Sequence, residues 1–190
     1  MFEIYIPKKF QIYSQVTAIV ADAASGEYKN VIKGHNLVTN DGDYFYAVRA
    51  VAGTPSTDYF CNGSGVFDGV VELYIGATAS PSKAAVRSSI GGTLVSWSSG
   101  PAISEMAMSS GYPKVNDSDS GNTGKGADVV TYKVTYTTSE ANGTSISDVV
   151  ITNPSPSSGD KLLMWSELTP FNKTSSDTLT IYINHTFTGA

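Results

Sequence analysis

The chain has 190 residues, a formal charge of −5 and only 15% charged residues, against roughly 25% in ordinary soluble proteins. That length can bury a sizeable core in one domain, while the acidity argues against a phosphate-binding surface and so against nucleic acid as a partner. The single cysteine, Cys61, excludes an intrachain disulfide and a thiolate metal site, and it reads as a small half-buried residue.

Ser, Thr, Asn and Gly take the place of the missing charge, which suits strands and turns better than helices. At the start, Phe2, Ile4 and Ile6 alternate with Glu3 and Tyr5 until Pro7 and two lysines intervene. Residues 1–15 therefore read as an edge strand or an arm that pairs with another subunit, ahead of one β domain over 16–190. The segment lacks an uninterrupted apolar run, so no signal peptide is expected, and no stretch approaches the roughly 18 apolar residues of a membrane span. The expectation is a chain made in a cytoplasm, without membrane contact, that stays soluble until it is released or assembled.

Gln15 to Val38 reads as a hairpin turning at ASGE, where Gly26 can supply a positive φ. TNDGDYFYAVRAVAG reads as the one short helix. Thr39 or Asn40 caps it, Asp41 and Asp43 favour its first turn, and Tyr44, Ala47, Val48 and Val51 share the expected buried face. Val70 to Ile75 is a buried-type strand, followed by a long linker with one helical turn expected around Ala84 to Ser88. TLVSWSS is a short strand, and GYPKVNDSDSGNTGKGAD a polar, Gly-rich loop.

After that loop, Val130, Tyr132, Val134 and Tyr136 alternate with polar residues. Strands over SISDVVITN and KLLMWSEL follow, separated by turns. In the last strand, Leu179, Ile181, Ile183 and Phe187 face one way, and Thr178, Thr180, Tyr182, Asn184 and Thr186 the other. A strand so close to the end of the sequence must complete a sheet begun earlier. Its uncharged second face suits packing against another subunit, which makes Tyr182 and Asn184 interaction candidates beside Phe2, Ile4 and Ile6. Short strands with a turn about every 10 residues make the fold all-β with one short α-helix, an antiparallel β-sandwich or barrel.

Chemistry is sparse. The two histidines, His35 and His185, have no nucleophile-elbow serine beside them, and His185 shares the apolar face of the last strand, so it reads as a core or rim histidine satisfied by one hydrogen bond. Asp117, Asp119 and Asp128 match positions 1, 3 and 12 of a calcium loop. Asn122 stands where the sharp turn needs Gly, so the solvated-loop reading outweighs metal. No cofactor fingerprint or zinc spacing occurs. A carbohydrate-binding module would want a planar aromatic row, whereas Trp97 and Trp165 lie far apart; a glycosidase would need two facing carboxylates, and nothing in the spacing of Glu105 and Glu167 joins them.

Three stretches in order, HNLVTNDGDYFYAVRA, LYIGATASPSKAAVRSSIGG, and VVTYKVTYTTSEANGTSISDVVITN followed by KLLMWSELTPFNKTSSDTLTIYINHTF, resemble structural proteins of tailed bacteriophages. Val149 and Val150 depart from the glycine-leucine pair usual in that family, and the loop from Asp117 to Asp128 looks enlarged. The resemblance implies a jelly-roll-like sandwich in a virion, of the cement or decoration kind, bound to the major capsid protein as a dimer or trimer. It implies no catalytic residue, and related sequences in tail fibres and baseplates leave a tail location open.

Overall fold

The structure, a computed structural model, describes residues 11–51, 60–62, 64–95, 105–115, 129–153 and 160–188. Phe2, Ile4, Ile6, Trp97 and the loop residues Asp117, Asp119 and Asp128 lie outside the described residues. The described chain is mostly antiparallel β with one short helix. Its strands are β1 Gln11–Asp22, β2 Tyr28–Val38, β3 Val70–Ile75, β4 Thr93–Leu94, β5 Met106–Ala107, β6 Lys114–Val115, β7 Val129–Tyr136, β8 Gly143–Thr152, β9 Leu162–Lys173 and β10 Asp177–Thr188, and the helix is α1 Asn40–Val51.

The hairpin forms as its sequence dictates. Asp22 Oδ1 accepts the amides of Ala24 (3.0 Å) and Ser25 (2.9 Å), and Gly26 takes φ +73°. Gln11 to Gln15, expected within an N-terminal arm or edge strand, belong to β1, which pairs with β10 along its whole length from Gln11↔Thr188 to Asp22↔Asp177. The last strand therefore closes on the first and on β7 at its other edge.

The strands form one curled sheet in the order β4-β3-β8-β9-β2-β1-β10-β7-β6, with β5 pairing to β3. It bends at β2, which pairs with β1 up to His35 and with β9 from Asn36 to Val38. Gly34 sits at this handover, where a Cβ would run into the Leu168 side chain and approach the Glu167 carbonyl oxygen at 3.1 Å. Ser166 Oγ, donating to the His35 carbonyl at 3.0 Å, ties the two halves beside it.

The bend turns two inner faces toward one core. Val16, Ala18, Val20, Val134, Leu179, Ile181 and Ile183 from one half meet Leu73, Val149, Ile151, Met164 and Phe171 from the other. Each of these aliphatic side chains is at most 2% exposed, and full burial of one larger than alanine contributes about 1.5–3 kcal/mol. Connections that cross between the halves include β7 to β8 and β9 to β10. Lys173 Nζ donates to the Thr137 carbonyl (2.7 Å) and Asn142 Oδ1 (2.9 Å), so the end of β9 clamps the first crossing beside the second.

The half made by β3, β8 and β9 is buried on its outer side too. There Tyr74, Val150, Leu162 and Trp165 lie beneath Ala85 and Ile90, carried by the linker after β3, and its single helical turn falls at Arg87–Ser89. Trp165 Nε1 donates to Asp148 Oδ1 at 2.8 Å, so neither polar group is left bare.

Helix α1 starts where its sequence places it: Thr39 Oγ1 accepts the Gly42 amide at 3.3 Å and donates to the Leu162 carbonyl. Its buried face differs from the expected one. Phe45 is 6% exposed and stacks edge-on with Phe60 and Phe67, whereas Tyr44 is 58% exposed and Ala47 also points outward. Gly42 explains the rotation, because a Cβ there would strike the Leu163 carbonyl and the Val38 side chain. The helix thus presses its backbone on β9 and turns Phe45 and Tyr46 into the core.

Gly34→Ala and Gly42→Ala are each expected to cost about 1–3 kcal/mol by overpacking, read as a lower urea midpoint. Gly34→Ala at wild-type stability would show that β2 does not need the close passage over Leu168.

Candidate functional site

Among the described residues, three places gather chemistry-bearing side chains. The first lies under α1, where His185 is fully buried. Asn36 Nδ2 lies 3.1 Å from His185 Nε2, Tyr46 Oη is hydrogen-bonded to Nδ1, and Tyr46 Oη lies 2.7 Å from Tyr132 Oη. As placed, the Asn36 amide donates to Nε2, so Nδ1 carries the proton and gives it to Tyr46, which donates to Tyr132. That leaves Asn36 Oδ1 buried without a partner. Turning the amide over reverses every donor along the chain and moves the orphan to the amide nitrogen. Both arrangements keep the histidine neutral, and burial alone pushes its pKa from 6.5 down to about 3. The same burial drives the Tyr46 and Tyr132 hydroxyls upward.

Around this chain the rings pack edge-on: Tyr46 against Phe187 at 4.8 Å and Tyr132 against His185 at 5.2 Å between centroids. Arg49 lies beside them, donating to Cys61 Sγ and to the Gly65 carbonyl (2.6 Å). The reading of His185 as a core residue agrees with this placement, though it makes two hydrogen bonds where one was expected. Its polar partners on β2 and α1 carry no sequence signature.

The second place is the outer side of β3. Glu72 is fully buried and accepts from Tyr74 Oη (2.8 Å) and Arg87 Nε (3.2 Å), with Arg87 Nη2 shared between Glu72 and Glu105 Oε1 (2.8 Å). Burial raises the Glu72 pKa against the pull of Tyr74 and Arg87, and burial together with Glu72 raises that of Tyr74. Glu105 is thus brought to Glu72, while Glu167 stands exposed on β9 opposite Asp148. A guanidinium occupies the space between the paired carboxyls, where a glycosidic bond would have to lie. This cluster locks the linker to the sheet. Among the described residues no three His, Cys, Asp or Glu side chains come together as a metal site.

The third place is the outer face of β2, β1, β10 and β7. Register aligns Lys33, Thr17, Tyr182 and Lys133 in one row across the four strands, with Val31, Ile19, Thr180 and Thr135 in the next. Lys33, Thr135 and Val31 are exposed, and Thr17, Ile19, Thr180, Tyr182 and Lys133 half-buried. Lys133 Nζ sits 5.1 Å from the Tyr182 ring centre and 5.4 Å from that of Tyr112, and Lys114 Nζ 5.9 Å from Tyr112. Tyr182 therefore stands on this face as its alternation requires. Asn184 does not present its side chain there: it is 7% exposed and its Oδ1 accepts from Thr131 Oγ1 at 2.8 Å, so the pairing with β7 consumes a group expected to meet a partner.

Comparison with protein-family models, with curated proteins and with solved structures gives no match.

His185 makes acid stability readable. Its folded pKa lies below the unfolded value, so its contribution is intact above about pH 6.5 and is lost as the pH falls toward about 3, where the unfolded chain binds the extra proton. In that window the wild type is expected to lose up to about 1.4 kcal/mol per pH unit more than His185→Gln, measured by urea unfolding. Parallel pH profiles for the two proteins would mean that His185 is not held neutral.

Proposed function

We propose that the chain is a bacteriophage virion structural protein of the capsid cement or decoration kind. In this reading its curled sheet is a jelly-roll-like sandwich, it works as a homo-oligomer, and it binds the outer shell through the face of β2, β1, β10 and β7. The observation that carries the reading is the unequal treatment of the two halves of the sheet. One half is covered on both sides, its outer side sealed by the linker that Arg87 pins to Glu72. The other leaves a broad face of Thr, Tyr, Lys and aliphatic side chains partly open.

Chemistry supports the same reading from the other side. Three buried titratable groups among the described residues are engaged within the chain: His185 by Asn36 and Tyr46, Glu72 by Arg87 and Tyr74, Lys173 by Thr137 and Asn142. Such an interior suits an inert building block. The segments that resemble phage structural proteins fall on the end of β2 with α1, on β3 with its linker, and on β7 to β10. A modest face is sufficient on a capsid, because many copies bound to one lattice multiply a weak contact.

Purified protein mixed with separated heads and tails is expected to cosediment with heads at a fixed copy number and to raise the temperature at which they open. Binding to tails alone would move the protein to the tail, and binding to neither would overturn a virion role.

A further inference from the structure

We infer that the face of β2, β1, β10 and β7 docks on a carboxylate-rich protein surface, with Lys33 and Lys133 meeting the carboxylates. The inference rests on the docking face proposed above and names the chemistry of its partner. The four strands contain no Asp or Glu except Asp22 and Asp177, which sit together at one end and are both held by Lys29. Lys33 and Lys133 lie on the face, and subtracting their two positive charges from a chain of net −5 leaves −7 for the remainder. An acidic partner is therefore repelled by the rest of the molecule and admitted on this side. The charge distribution fixes orientation as well as attraction.

The lysines are also placed. Elsewhere Lys83 and Lys161 neutralise Asp43 and Asp41, whereas Lys133 is held between the rings of Tyr112 and Tyr182 with no carboxylate beside it among the described residues. Rings on either side keep the ammonium positioned without cancelling its charge. Lys33 stands in the same row, three strands away, roughly 14 Å at the usual strand spacing. Between them, Thr17 and the Tyr182 hydroxyl offer hydrogen bonds.

Two features favour a protein over a polyanion such as DNA. Ile19 and Val31, the latter 46% exposed, form an apolar step directly beside the lysine row, and an interface core uses such a step while a phosphate backbone does not. Two lysines also release few counterions, and the surrounding negative charge opposes a long polyanion.

The test uses the whole chain, labelled with nitrogen-15, and poly-L-glutamate as the probe. Amide shifts are expected at Thr17, Lys33, Lys133 and Tyr182, fading as salt rises toward about 0.5 M. Lys33→Glu/Lys133→Glu is expected to weaken binding at least about tenfold while its melting curve stays that of the wild type, with Lys33→Gln/Lys133→Gln intermediate. Absence of binding, shifts centred elsewhere, or tighter binding of double-stranded DNA than of polyglutamate would each overturn the inference. Heads that bind wild type and the double-glutamate variant equally well would overturn it while leaving the capsid role standing. Polyglutamate binding without head binding would keep the surface and remove the capsid.

Discussion

The structure depends on one strand serving two partners. β2 leaves β1 at His35 and joins β9 at Asn36, and at that handover the chain passes so close that a Cβ at Gly34 would displace the Leu168 side chain. A flat sheet of the same strands would expose one apolar face along its whole length. Bending at β2 folds that face on itself, so that Ile181 and Ile183 share a core with Val149 and Ile151. The same bend decides what remains outside: one outer side that needs a cover, supplied by the linker after β3, and one that is polar enough to stay uncovered.

The buried polar groups follow from this enclosure. A neutral histidine, a carboxylate and an ammonium all lose hydration, and each survives because a partner was folded in with it. His185 draws on β2 and α1, Glu72 on the linker through Arg87, and Lys173 on the turn between β7 and β8. The His185 and Lys173 networks join elements well separated in sequence, whereas the Glu72 cluster pins the linker after β3 to the half it covers. They also leave these groups committed to architecture, in keeping with a role in assembly.

Alternation made much of this fold legible. Val130 to Tyr136 and Leu179 to Ile183 show period 2 so clearly that their inward faces follow from sequence, as does the Gly26 hairpin. The handover at Gly34 was not legible, since nothing local distinguishes a strand with one partner from a strand with two. The helix start was readable from Thr39, yet its buried face was not, because Gly42 lets the backbone approach β9 and rotates Phe45 inward in place of Tyr44. Asn184 looked available by alternation and is consumed by Thr131 in the neighbouring strand. The Glu72, Arg87 and Glu105 cluster needs tertiary proximity that no spacing announces. The lysine row was half legible: that the four strands carry no carboxylate except Asp22 and Asp177 is written in the sequence, but register alone aligns Lys33 with Lys133.

On the proposed reading, the covered half and the partly open face that carries Lys33 and Lys133 belong to a molecule with one side to dock. The most direct measurement is acetylation of lysines on particle-bound protein, read by mass spectrometry. On the account given, Lys33 and Lys133 become protected while Lys83 and Lys161, on other surfaces, stay as reactive as in free protein. Protection of Lys83 and Lys161 with Lys33 and Lys133 unchanged would contradict it.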